Sequence, residues 1–207
     1  MYYLTEEIWF PNVDNASDEG LLAIGGDLSI NRLLLAYKSG VFPWFESNEP
    51  LLWWSPNPRF VLFPEQLKVS KSMRQVMRNS NYNITVNKDF KSVITACSKI
   101  KRQGQTGTWI TQSMINAYVK LHEMGYAKSI EVWRDEVLVA GFYGIDLGNN
   151  VFSGESMFTN ESNASKAGFI SFVQNTNYAL IDCQVYTNHL ESLGAKEISR
   201  ANFLKYL

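Results

Sequence analysis

The chain has little that would cross-link it or carry familiar chemistry. Cysteine occurs twice, at Cys97 and Cys183, with no CxxC spacing. Neither a disulfide framework nor a zinc site is expected, and both residues read as buried thiols. Histidine is as scarce, with only His122 and His189, so base work falls to carboxylates, an amide relay or the substrate itself. The longest apolar run, Val137 to Ile145, falls well short of the roughly 20 residues that cross a bilayer. The start, MYYLTEEIWF, carries acids where a signal peptide needs a basic region, so a cytoplasmic protein without a membrane partner is expected. There is no GxSxG, HExxH, GxxxxGK(S/T) or post-strand GxGxxG, which withdraws support from triad hydrolases, zincins and nucleotide-phosphate binders. Nor does either sign of charge dominate, with 19 basic against 20 acidic residues. The net charge is -1, so a polyanionic partner must be held by a local basic patch.

What is present is a folded-protein composition of 207 residues, 45% apolar and 14% aromatic, enough for one domain with a smaller appendage. Residues 1–63 hold five of the six prolines before Pro64, four of the six tryptophans, and GlyGly at 25–26, and read as a small separate N-terminal domain. Its one clear helix runs from about Ile30 to Ser39, between Ser29 as N-cap and Gly40. The tryptophans read either as core filling or, beside prolines and an Arg, as loop aromatics suited to stacking on unpaired bases. From Lys68 to Asn79 the period is helical. Lys68, Lys71, Arg74 and Arg78 share one arc and Val69, Met73, Val76 and Met77 the other, and no acid at i±4 neutralises the cationic face. It qualifies as a phosphate-backbone contact or as a solvated face.

Beyond it the sequence predicts a strand at 82–86, a helix near 89–101, and a turn at Gly107–Thr111. Thr111 then caps a helix that ends at Gly125 and carries His122 as a packing or surface residue. A hairpin follows over 127–133 and 137–145 around Asp135-Glu136. Next come a strand near 151–153, the segment 154–158, a helix over 164–176 and a buried strand from Leu180 to Gln184. A short helix, a strand at 195–199 and a helical tail close the chain. Interleaved strands and helices with one hairpin imply a mixed-sheet α/β (α+β) domain over 64–207.

The strand Leu180-Ile181-Asp182-Cys183-Gln184 organises the reading. A strand's period of two turns Asp182 and Gln184 to one face, and a buried carboxylate is costly unless satisfied. Asp182 is therefore either a structural anchor or part of a site. Glu155, Asp182 and Gln184 are the polar candidates. Phe142, Phe152, Met157, Phe169 and Phe172 form either an apolar wall beside them or ordinary core.

Several longer words carry a resemblance. They are Gly20-Leu21-Leu22-Ala23-Ile24-Gly25-Gly26-Asp27-Leu28, Gly40-Val41-Phe42-Pro43-Trp44, Leu52-Trp53-Trp54-Ser55-Pro56, Gly107-Thr108-Trp109-Ile110, Gly154-Glu155-Ser156-Met157-Phe158, Ala164-Ser165-Lys166, and the Asp182 strand with Ser192-Leu193-Gly194-Ala195. In this order, from about Phe10 to the C-terminus, they resemble leucyl/phenylalanyl-tRNA–protein transferases. The resemblance implies a small N-terminal domain and an N-acetyltransferase-like catalytic domain. It further implies a monomeric enzyme, without metal or cofactor, that moves Leu or Phe, and less readily Met, from aminoacyl-tRNA to proteins with N-terminal Arg or Lys. It places Trp44 and Trp109, with Tyr37 nearby, at the terminal adenosine. Phe142, Phe152, Met157, Phe169 and Phe172 fall at the aminoacyl side chain, Glu155, Asp182 and Gln184 at the reacting centre, and Lys68, Lys71, Arg74 and Arg78 on the tRNA backbone. Phe142, stiffer than the methionine of relatives, narrows the pocket, and Asn160 stands where a basic residue is common. The run Glu161-Ser162-Asn163-Ala164 replaces the pyrophosphate loop of coenzyme A users, which argues against an acyl-coenzyme A acetyltransferase. A non-catalytic RNA-binding module is the other rival.

Overall fold

The computed structural model describes residues 1–46, 49–100 and 109–207. Gly107, Thr108 and residue 101 of the expected 89–101 helix lie outside them. The strands are β1 (Tyr2–Leu4), β2 (Leu21–Gly25), β3 (Phe42–Pro43), β4 (Leu52–Trp54), β5 (Arg59–Leu62), β6 (Asn83–Val86), β7 (Ala127–Arg134), β8 (Val137–Asp146), β9 (Val151–Thr159), β10 (Leu180–Gln184) and β11 (Lys196–Ile198). The α-helices are α1 (Ile30–Lys38), α2 (Lys71–Asn79), α3 (Phe90–Lys99), α4 (Gln112–Glu123), α5 (Ala164–Gln174), α6 (Asn188–Glu191) and α7 (Arg200–Phe203). They build a four-stranded sheet, β1-β2-β4-β3, and a seven-stranded mixed sheet, β11-β5-β10-β9-β8-β7-β6.

Local chemistry accounts for the boundaries. Ser70, Asp89 and Thr111 each accept the N–H three residues on, from Met73, Ser92 and Met114, and so start α2, α3 and α4. Asp135 and Glu136, at φ 48° and 65°, make the two-residue left-handed turn that matches the twist of β7 and β8. Alternation along β8 then divides the core. Tyr143 and Ile145 pack with α3 and α4, while Phe142 faces α5 with Phe152, Phe169 and Phe172. The first of these cores continues into the N-terminal layer through Leu22, Leu33, Tyr37 and Trp53.

Four expectations shift. The division at 63/64 does not coincide with the sheets, because β5 already lies in the larger sheet between β10 and β11. All four β5 residues are buried, so the strand is covered on both faces and shows no alternation to mark it. Lys68 lies outside α2, since the Ser70 cap starts the helix at Lys71 and the Lys68 N–H bonds Leu193 O at 2.8 Å. Residues 151–158 form one strand rather than a strand and a separate segment, held by β8 along almost its whole length. Trp53 and Trp54 belong to β4, not to a loop, and Trp53 is fully buried with its indole N–H donating to Gly25 O at 2.8 Å.

Gly144 sits where the β8–β9 register shifts, and a Cβ there would meet Ser153 O at 2.4 Å and the Phe152 ring at 2.5 Å. Gly144→Ala therefore destabilises the fold by about 1–3 kcal/mol, as overpacking against backbone does. Thermal unfolding checks it, and an unchanged Tm would refute this packing.

Candidate active site

The strands β9 and β10 pair in parallel only over Val151–Ser153 and Leu180–Asp182, after which β9 runs on to Thr159 and β10 bends away. The parting opens a cavity of about 630 Å³. Phe142, Phe152, Met157 and Phe169 line it, as do Pro43, Trp44, Trp109 and Ser165, and Glu155 and Gln184 face the same space.

The bend is made by Asp182. Its carboxylate is fully buried and takes a two-pronged ion pair from Arg59, Nε to Oδ1 at 2.8 Å and NH2 to Oδ2 at 2.7 Å. Arg59 also donates to Gly40 O at 3.2 Å and lies between the Phe42 and Phe203 rings, 4.7 and 4.6 Å from their centroids. Asp182 Oδ1 in addition accepts the backbone N–H of Gln184 at 3.0 Å. Gln184 takes φ 64°, a left-handed conformation that a non-glycine residue adopts at a cost, and the register against β5 slips between Asp182 and Gln184. Asp182 thus positions Gln184 through its backbone. Its own charge is spent on Arg59, and its side chain does not face solvent.

The Gln184 side chain meets Glu155, Nε2 donating to Oε1 at 2.7 Å. Tyr118 donates to Glu155 Oε2 at 3.1 Å, and the Tyr118 hydroxyl is hydrogen-bonded to that of Tyr37. With Nε2 engaged, the amide oxygen of Gln184 has no partner among the described residues and is free to accept from a ligand. Burial is the main cause that pushes the Glu155 carboxyl up to about 8, while the Tyr37 and Tyr118 hydroxyls and the Gln184 amide favour the charged form and oppose it. Glu155 keeps some surface towards the cavity, so water there moderates the shift and a ligand that excludes water restores it.

Most of the expected residues converge here. Trp44 is 39% exposed and stands 5.8 Å, centroid to centroid, from Trp54. Phe172 lies behind the lining, 4.7 Å from Phe152 and 5.4 Å from Phe142. Tyr37 is off the lining and acts on the site through Tyr118. Lys71, Arg74 and Arg78 form an exposed face on α2, apart from this cavity. His122 is a packing residue, stacked on Phe90 at 4.4 Å with Nδ1 2.8 Å from Ala127 O. Sequence reasoning missed Arg59, Tyr118 and His189. Only Arg59 left a signal, as a cation beside ProxPro and opening a wholly apolar run.

The cavity thus holds an amide and a carboxyl hydrogen-bonded to each other, with phenylalanines and two tryptophans in the same lining. The family model described as leucyl/phenylalanyl-tRNA protein transferase matches residues 61–207, and the model of its N-terminal domain matches 26–57. Proteins named leucyl/phenylalanyl-tRNA–protein transferase from Flavobacterium johnsoniae and Flavobacterium psychrophilum are 58% and 54% identical over 210 residues, covering 100% of this chain and 99% of theirs. One from Pseudomonas fluorescens is 50% identical over 96% of this chain and 89% of its own. The chain belongs to the leucyl/phenylalanyl-tRNA–protein transferase family and is an aminoacyltransferase. Among solved structures, a GCN5-related N-acetyltransferase from Kribbella flavida is 10% identical with a TM-score of 0.41, covering 80% of this chain and 60% of its own.

The Glu155 shift fixes a pH dependence. A carboxyl near 8 in the folded chain and near 4.5 in the unfolded one binds more protons when folded, so its stabilising contribution is complete below about pH 4.5 and is lost as pH rises to 8. Unfolding free energy should fall across that window by an amount on the order of a few kcal/mol, and Glu155→Gln should flatten the slope. Identical pH profiles for the two proteins would contradict the assignment.

Proposed function

We propose that this enzyme moves leucine or phenylalanine, and less readily methionine, from its tRNA to the α-amine of proteins that begin with Arg or Lys, marking them for degradation by the N-end rule pathway. It works as a cytoplasmic monomer. The observation that carries the reading is the hydrogen-bonded Glu155–Gln184 pair, which lines one cavity with the phenylalanines and the two tryptophans. The aromatic wall suits an apolar aminoacyl side chain, and Trp44 and Trp109 suit the flat face of the terminal adenine.

The donor ester is already activated, so the protein must hold two reactants and manage one proton. The amine nitrogen attacks the ester carbonyl carbon, a C–N bond forms, and the C–O bond to the ribose breaks. In sum a proton passes from the amine to the ribose oxygen. The free amide oxygen of Gln184 accepts an N–H of the attacking amine and aims its lone pair. Glu155, near 8, lies close to the ordinary α-amine value of about 7.7–8.0, so it can exchange a proton with that amine at little cost. Among the described residues β9 pairs with β10 only as far as Ser153. The exposed Lys71, Arg74 and Arg78 of α2, with Lys68 ahead of it, supply the local patch that a nearly neutral protein needs to hold tRNA phosphates.

With radiolabelled leucyl- or phenylalanyl-tRNA the protein should label a polypeptide starting with Arg or Lys and not one starting with Ala. Gln184→Ala should reduce kcat by about 10²-fold or more, the scale of a lost transition-state contact. Label that appears only with acetyl-coenzyme A as donor would overturn the assignment.

A further inference from the structure

The α5 wall of the cavity holds polar groups that neither the transfer step nor the side-chain pocket uses. Helix α5 begins after Asn163, whose side chain makes no cap, and its first turn carries no acid. The N–H groups of Ser165 and Lys166 have no acceptor among the described residues. Ser165 is only 7% exposed and lines the cavity, and its hydroxyl has no hydrogen-bond partner among those residues. From α6, His189 lines the same cavity with a buried Nε2 that is also unpartnered. A buried ring nitrogen left in this state is costly unless a ligand satisfies it, and the Ser165 hydroxyl faces the same cavity. Burial first, and the Lys166 charge second, keep the imidazole below its ordinary range and therefore neutral, with one N–H to give. Glu161, the acid that precedes the helix, is already engaged by Arg134 at 2.9 Å and Tyr82 at 3.2 Å.

Free N–H groups at a helix N-terminus, a lysine, a hydroxyl and a neutral imidazole together describe a receptor for tetrahedral oxyanions. We propose that the N-terminus of α5, with Ser165, Lys166 and His189, binds a phosphate of the donor RNA's 3′ strand, the one that enters with the terminal adenosine. An aminoacyl-adenosine carries no anion, so the phosphate is the group on the donor that this chemistry selects. The inference rests on Trp44 and Trp109 as the adenosine ledge.

Adenosine and adenosine 5′-monophosphate, titrated into the full chain by calorimetry, test it. Adenosine binding that disappears in Trp44→Ala checks the ledge by itself, whereas the phosphate is read from the difference between the two ligands, so the two readings fail separately. The monophosphate should bind roughly tenfold or more tighter than adenosine, the scale of a hydrogen bond to a charged group. Ser165→Asp should abolish that gain while leaving adenosine unchanged. Ser165→Ala and Lys166→Ala, which disturb folding less, should each reduce it several-fold. Equal affinity for both ligands in the unaltered protein, or a gain that survives all three substitutions, would overturn the proposal. Inorganic pyrophosphate that binds with the same sensitivity to Ser165→Asp, while the monophosphate gains nothing, would assign the site to a soluble phosphate and refute the donor-strand assignment.

Discussion

The fully buried ion pair between Arg59 and Asp182 is the constraint on which the site depends. Desolvating both charges is expensive, and the geometry offsets this with parallel hydrogen bonds, a third donation to Gly40 O and aromatic faces on either side of the guanidinium. The contacts come from three parts of the chain. Gly40 and Phe42 come from the N-terminal layer, Arg59 and Asp182 from the larger sheet, and Phe203 from the C-terminal helix. One guanidinium therefore ties three segments to the strand that carries Gln184.

The same pair explains why a glutamine can sit in a left-handed conformation beside an opening. Asp182 accepts the Gln184 N–H, which compensates the strained turn, and β10 then swings out of its pairing with β9. The gap is where the Gln184 amide and Glu155 meet. Glu155 is in turn steadied from the other side by Tyr118, whose hydroxyl touches that of Tyr37 on α1. The N-terminal layer thus supports the Glu155–Gln184 pair at two points, through Gly40 on Arg59 and through Tyr37 on Tyr118.

Much of this was legible in the sequence, for definite reasons. The β7–β8 hairpin announced itself through alternation around Asp135-Glu136, and α4 through Thr111 and its apolar period, because local chemistry sets both. The polar pair in an apolar strand marked Asp182 and Gln184 as special. What could not be read was who satisfies them. Arg59 is 123 residues from Asp182, and no period or spacing encodes a partner so distant. The left-handed turn at Gln184 was equally hidden, since a strict period of two puts both side chains on one face, whereas the turn sends them to different partners. The carboxyl that looked most like chemistry is fully buried and paired with Arg59, whereas Glu155 keeps some surface towards the cavity.

The central claim is that Asp182 acts by holding Arg59 and the Gln184 turn rather than by touching substrate. A double-mutant cycle on unfolding free energy with Arg59→Met, Asp182→Leu and the pair tests it most directly. Each single change strands a buried charge and should cost about 3–5 kcal/mol, while the double variant should recover much of that loss, giving a coupling of about 3 kcal/mol or more. Single effects that add within about 0.5 kcal/mol would contradict the account, because the two groups would then be independent.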